Sequence, residues 1–219
     1  MTKLWFFISV SLVYLQIKRT KTMIEIIEYI KTHGYVRMKE LKEAGFHTRN
    51  ISALVRSGEI EKVKSGLYKV PNYENPEYIT SFLDTAKAIP KGVICLMSAV
   101  SYYELSTVNP SEVFIAIPLS EKKPKINYPP IRVFYWADRN YYLGINEIKV
   151  KGNTIKIYDK EKTICDLFRY RNKLGEDIAF ESLKNYLGSK TFDLNKLRTY
   201  SQKMRIKTVL QPYIKALIG

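Results

Sequence analysis

The stretch HTRNISALVRSGEIEKVKSGLYKV, residues 47–70, changes its periodicity halfway along. Up to Ser57 the apolar residues recur at helical spacing, so Ile51, Leu54 and Val55 share one face. Steps of about 100° per residue place Arg49, Ser52, Ala53 and Arg56 opposite them, with Asn50 at the flank. His47 and Thr48 stand where a helix cap belongs, and Gly58 follows the last turn. From Ile60 the pattern alternates. Ile60, Val63 and Leu67 are expected to face inward, and Lys62, Lys64 and Lys69 outward, around a Ser65-Gly66 turn.

Upstream, Ile24, Ile27 and Ile30 mark a first helix closed by Gly34, and Met38–Ala44 reads as a second, stopped by Gly45. Three short helices and a basic hairpin predict a winged helix-turn-helix over residues 23–72. Its third helix suits a DNA major groove. Small residues permit close approach, while Arg49, Asn50 and Arg56 have side chains that pair with guanine and adenine edges. Thr48 and Ser52 complete that face. Lys62, Lys64 and Lys69 would hold phosphate from the hairpin. Residues 23–72 contain 9 basic and 6 acidic side chains, but Glu25, Glu28, Glu40 and Glu43 fall in the first two helices. From Thr48 to Val70 five Lys or Arg face two Glu, so the asymmetry lies where DNA would be. The plainer alternatives are a protein-docking module and a merely solvated basic face.

The whole chain agrees with a polyanionic partner. It has 219 residues, 36 Lys or Arg against 21 acids, a net charge of +15 and an isoelectric point near 9.6. Nucleic acid is the first expectation and an anionic membrane surface the second. Cys95 and Cys165 are too few for a disulfide scaffold, and with only His33 and His47 they make no metal-ligand spacing. A reducing cytoplasm is the expected compartment. Residues 4–17, LWFFISVSLVYLQI, form an apolar run of 14, short of the roughly 20 that span a bilayer. No small-residue cleavage site follows it. Residues 1–22 are therefore read as an upstream extension, with translation starting at Met23, or else as a weak interfacial anchor.

Residues 73–219 mix helix and strand. Pro76 opens a helix to about Ala88, Val93–Leu96 reads as a buried strand, and Ser98 caps the next helix. Val113–Ile117 and Ile131–Trp136 are apolar strands separated by a Pro- and Lys-rich loop. Ile145–Val150 and Thr154–Tyr158 form a hairpin around Gly152-Asn153. Helices over about 160–172, 177–187, 193–204 and 207–217 follow. The fold class is α+β: an N-terminal winged helix-turn-helix, then a mixed α/β domain with a helical C-terminal tail. No phosphate-binding Gly-rich loop, metal-binding His pair or nucleophile elbow occurs, so no enzyme, metal or cofactor is expected. Phe134-Tyr135-Trp136 and Tyr141-Tyr142, interleaved with Arg132 and Arg139, offer an alternative: a stacking platform for single-stranded RNA.

The run Gly45, Thr48-Arg49, Leu54–Ile60 and Val63–Tyr68 resembles the antitoxins of AbiE-type (type IV) toxin–antitoxin systems. The second half resembles the same family in Val93–Leu96, Ser98-Ala99-Val100, Val113–Pro118 and Asp159–Leu167. The resemblance covers about residues 23–190. It implies a repressor that binds its own promoter as double-stranded DNA. It also implies phage defence by opposing a nucleotidyltransferase-type toxin without forming a stable complex with it. The runner-up is an RNA- or protein-binding module without operator recognition. Tyr102-Tyr103 departs from the family pattern, so no site residue is carried over there. The resemblance alone singles out Lys162 and Asp166 as a family pair of unassigned role. From the residues themselves they read as an i,i+4 surface ion pair worth about 0.2–0.5 kcal/mol, or as a structural contact to the sheet. Asp159 reads as the N-cap of their helix.

Overall fold

Glycines at positive φ end three elements of the first unit. Gly34 (φ +73°), Gly45 (φ +85°) and Gly58 (φ +78°) each adopt the left-handed conformation that stops a helix. The computed structural model describes residues 22–71, 77–126, 128–150 and 152–218, and the chain divides between Pro76 and Glu77 into two compact units. Residues 1–21 and Pro76, and the readings placed on them, lie outside the described residues.

The first unit runs α1 (22–33), β1 (Val36–Arg37), α2 (Met38–Glu43), α3 (Thr48–Arg56), β2 (Glu61–Lys64) and β3 (Leu67–Lys69). Its three strands are antiparallel in the order β1-β3-β2. Ile26, Ile30, Leu41, Ile51, Leu54 and Ile60 are buried in one core, each side chain contributing about 1.5–3 kcal/mol of apolar burial. Ile24 is not part of it: at 54% exposure it lies off the buried stripe, which runs through Ile26 and Ile30. The chain enters α2 with the Arg37 N–H donating to Glu40 Oε2 at 2.6 Å, and the Met38 N–H donates to the Gly66 carbonyl at 2.9 Å. This ties α2 to the hairpin turn.

Strand β1 carries no sequence signal beyond two residues, yet it changes the hairpin. It pairs Val36 with Tyr68 and Arg37 with Leu67, which makes β3 the central strand instead of an edge. Leu67, Tyr68 and Lys69 are consequently all buried. A bulge between Lys62 and Lys64 lets β2 turn Val63 inward.

The second unit runs α4 (Glu77–Ala88), β4 (Val93–Ile94), α5 (Leu96–Tyr102), β5 (Val113–Pro118), β6 (Ile131–Trp136), α6 (Asp138–Tyr141), β7 (Ile145–Val150) and β8 (Asn153–Tyr158). Four helices follow: α7 (Lys160–Leu174), α8 (Glu176–Gly188), α9 (Leu194–Lys203) and α10 (Lys207–Ile218). The mixed sheet has the order β6-β5-β4-β8-β7. Strand β4 is antiparallel to β5 and parallel to β8. Its Ile94 aligns with Ile115 on one side and Ile157 on the other, which places an all-apolar row at the centre. Helix α4 packs on β8 and β5, α5 packs on α7, and α8, α9 and α10 surround α7.

The expected strand Val93–Leu96 ends two residues early. Leu96 takes φ +47°, outside extended geometry, and starts α5 with Cys95 at the N-cap. Ser98 is therefore inside the helix and is no cap. Buried there, its Oγ accepts the Phe114 N–H at 2.9 Å and fastens α5 to β5. Helix α6 has four residues, too few to leave a periodic pattern.

Candidate functional site

Helix α3 separates two surfaces. Ile51 and Leu54 are fully buried and Val55 packs beside them, so the helix is held by one face only. The opposite face presents Thr48, Arg49, Ser52 and Arg56 to solvent, with Asn50 half-buried at the flank. His47 is the N-cap by backbone geometry, but its side chain makes no capping hydrogen bond. On α1 and α2 the charges are partly spent within the fold: Lys31 pairs with Glu28 at 2.9 Å and Lys39 with Glu43 at 3.7 Å. Arg49, Arg56 and Lys62 form no ion pair among the described residues. Arg56 makes only a long bond from Nε to the Ser52 carbonyl, at 3.4 Å.

The hairpin lysines separate into three environments. Lys62 is exposed. Lys64 is half-buried, and burial together with the neighbouring Arg37 charge lowers its pKa below the ordinary lysine value. Lys69, expected to point outward, is 4% exposed and its Nζ lies 3.2 Å from Glu61 Oε2. On β3 it shares a face with Leu67, two residues away, and turns inward with it. Arg37, on the strand that sequence reasoning missed, is exposed and adds positive charge beside Lys64.

The second unit places Lys162 and Asp166 together, but not on the surface. Lys162 is 0% exposed, and its Nζ donates to both Asp166 carboxylate oxygens at 2.7 and 2.6 Å. The same ammonium lies 4.1 Å from the Trp136 ring centroid and 4.4 Å from that of Tyr158. Of the two readings taken from the sequence, the surface ion pair is thus corrected, and the contact to the sheet is the one the geometry fits. Helix α7 turns this face against the sheet, and two aromatic rings enclose the charge. Burial raises the Asp166 pKa to about 6, against the attraction of Lys162. A side chain without solvent contact meets no diffusing substrate, so the pair's geometry is that of an internal fastening.

A second polar group closes the start of α7. Asp159 caps it, accepting the Lys162 N–H at 2.8 Å, as its sequence position predicts. Gly144 (φ +73°) makes room for this contact: a Cβ there would lie 2.8 Å from the Lys162 Cβ. Lys196 of α9 bridges Asp159 at 3.1 Å and Glu161 at 2.8 Å. Tyr200 reaches Asp159 at 3.2 Å, and the Tyr186 hydroxyl donates to Glu161 at 2.6 Å. Burial raises the Asp159 pKa, opposed by the Lys162 N–H and by Lys196.

The aromatic segment makes no continuous platform. Trp136 and Tyr141 are buried, Trp136 donates from Nε1 to the Tyr170 hydroxyl at 2.9 Å, and Phe134 stacks on Phe114. Tyr135 and Tyr142 remain exposed. Both cysteines are buried, and burial pushes their thiols above the ordinary range. Among the described residues no cluster of three metal-ligating side chains occurs, and no helix is long and apolar enough to cross a membrane.

With this geometry in place, comparison with known proteins finds one family model, transcriptional regulator, AbiEi antitoxin, matching residues 25–71. That span is the first unit from α1 to the end of the hairpin. No curated protein matches the chain.

Proposed function

From the premise that residues 25–71 are the module of the AbiEi antitoxin regulators, we propose that the protein is an antitoxin-type transcriptional repressor whose first unit is a winged helix-turn-helix. In this reading α2 and α3 are the helix-turn-helix, and β2–β3 the wing. Arg49, Asn50, Ser52 and Arg56 read base edges in the major groove, with Thr48 at the entry of the helix. Lys62 and Lys64 approach phosphate, joined by Arg37. The DNA is the protein's own promoter. The second unit supplies the opposition to a nucleotidyltransferase-type toxin, without a stable complex, in the cytoplasm and in the service of phage defence. No catalysis is assigned to the chain.

The observation that supports this reading most is the unpaired face of α3. It carries two arginines and small residues over a buried Ile51–Leu54 stripe. On α1 and α2, by contrast, part of the exposed charge is paired within the fold. The test compares binding to the upstream promoter fragment with binding to random duplex of equal length. Arg49→Ala should cost about 1–3 kcal/mol on the promoter and far less on random DNA. Equal losses on both would remove Arg49 from base reading. Tight binding to single-stranded RNA with no promoter preference would favour the RNA-binding alternative.

A further inference from the structure

The last two helices carry an excess of positive charge. From Leu194 to Gly219 there are six Lys or Arg residues and no Asp or Glu. Lys196 is already committed to Asp159 and Glu161. Arg198, Lys203, Arg205, Lys207 and Lys215 form no ion pair among the described residues.

Three of these five border one cavity of about 290 Å³ between α9 and α10. Helical spacing brings them there. Positions 198, 201 and 202 share a face of α9, and positions 207, 211, 214 and 215 share a face of α10. Buried Ser201 and Ile214 form the floor. The Ser201 hydroxyl is used, donating to the Arg198 carbonyl at 2.7 Å. The groups left to meet a ligand are the Arg198 guanidinium, the Lys207 and Lys215 ammoniums, and the Gln202 and Gln211 amides.

The chemistry of that lining selects its occupant. Three cations and no carboxylate favour an anion. A planar guanidinium beside two ammoniums matches the several oxygens of a phosphate better than a lone carboxylate does. The two amides each donate and accept, as pairing with a base or sugar edge requires. The volume lies just below the roughly 300–1,000 Å³ typical of ligand pockets, a size for no more than one nucleotide unit. We propose that the cavity between α9 and α10 binds the phosphate of a nucleotide. The site lies in the second unit and does not depend on how the first unit reads DNA.

The experiment is calorimetric titration of the full chain with adenosine 5′-monophosphate, adenosine, and a short single-stranded oligonucleotide. The monophosphate should saturate one site, and adenosine should bind at least about tenfold more weakly. Arg198→Ala and Lys207→Ala should each weaken the monophosphate about tenfold, whereas Arg132→Ala on β6 should leave it unchanged. All three side chains are exposed, and circular dichroism is the check that each variant folds. If the oligonucleotide displaces the monophosphate and is weakened by the same two variants, the phosphate belongs to a nucleic-acid chain. If the variants weaken the monophosphate alone, it belongs to a free nucleotide. The proposal is overturned if the monophosphate does not saturate, if adenosine binds as well, or if Arg132→Ala weakens binding equally.

Discussion

The two units use positive charge in opposite ways. On α3 and the hairpin, Arg49, Arg56 and Lys62 project into solvent, without an ion pair among the described residues, above an apolar core of Ile51, Leu54 and Ile60. On α7, Lys162 is enclosed, its charge met by Asp166 and by the faces of Trp136 and Tyr158. An exposed cation contributes little to stability and stays available to a partner. A buried one is withdrawn from partners, and its surroundings must match it closely. Under the proposed function, stability and recognition fall to separate cations in this chain. A substitution should therefore move one property and spare the other.

The largest effect is expected at Lys162. Lys162→Met leaves the Asp166 carboxylate buried without its cation and should cost the second unit about 3–5 kcal/mol in urea unfolding. Adding Asp166→Leu should recover most of that loss, because the penalty is an orphaned charge more than a lost attraction. Promoter affinity of the folded protein should stay as it was. A cost below about 1 kcal/mol would mean that the site admits water, and the contrast between the two units would fail.

The pH dependence of the same pair sharpens the comparison. Burial holds the Asp166 carboxyl at about 6, above the ordinary 3.8. The folded unit thus binds this proton more tightly than the unfolded chain does. The stability carried by that proton is complete below about pH 4 and is lost as the pH rises through about 6. The stability difference between the wild type and Asp166→Asn should therefore fall by about 1–3 kcal/mol from about pH 4 to about pH 7. A flat or rising difference would show that the Lys162 ammonium outweighs burial.

Periodic features were legible in the sequence, and features set by tertiary neighbours were not. The Ile51–Leu54 stripe, the Ser65-Gly66 turn, the Asp159 cap and the run of four C-terminal helices follow from local spacing and capping chemistry. Two-residue β1 and four-residue α6 are shorter than any period they could display. Lys69 lies two residues from Leu67, and strand alternation puts both on one face, so the outward expectation for Lys69 fails against the inward one for Leu67. Lys162 and Asp166 have the spacing of a surface pair. Nothing in i,i+4 arithmetic says that the partner face is Trp136, some 26 positions away in the chain. At the proposed interface the exposed set was legible because α3 is amphipathic, whereas the contribution of Arg37 was hidden with β1.

The smallest effect separates the hairpin lysines from one another. If the wing meets phosphate, Lys62→Ala removes one exposed charge and nothing structural. It should weaken promoter and random DNA alike, by about 0.5–1 kcal/mol, and lower the slope of log affinity against log salt by about one unit. Lys64→Ala should act in the same direction, since Lys64 is a half-buried residue beside Arg37. Lys69→Ala should behave differently. Its ammonium, on the central strand, sits against Glu61 of β2, so the substitution should lower the melting temperature and leave the salt slope unchanged. The three slopes, measured by fluorescence anisotropy on one duplex at four salt concentrations, decide the matter. A fall in slope for Lys69→Ala equal to that for Lys62→Ala would mean that β3 opens on binding, and that burial in the free protein does not determine which lysines meet DNA.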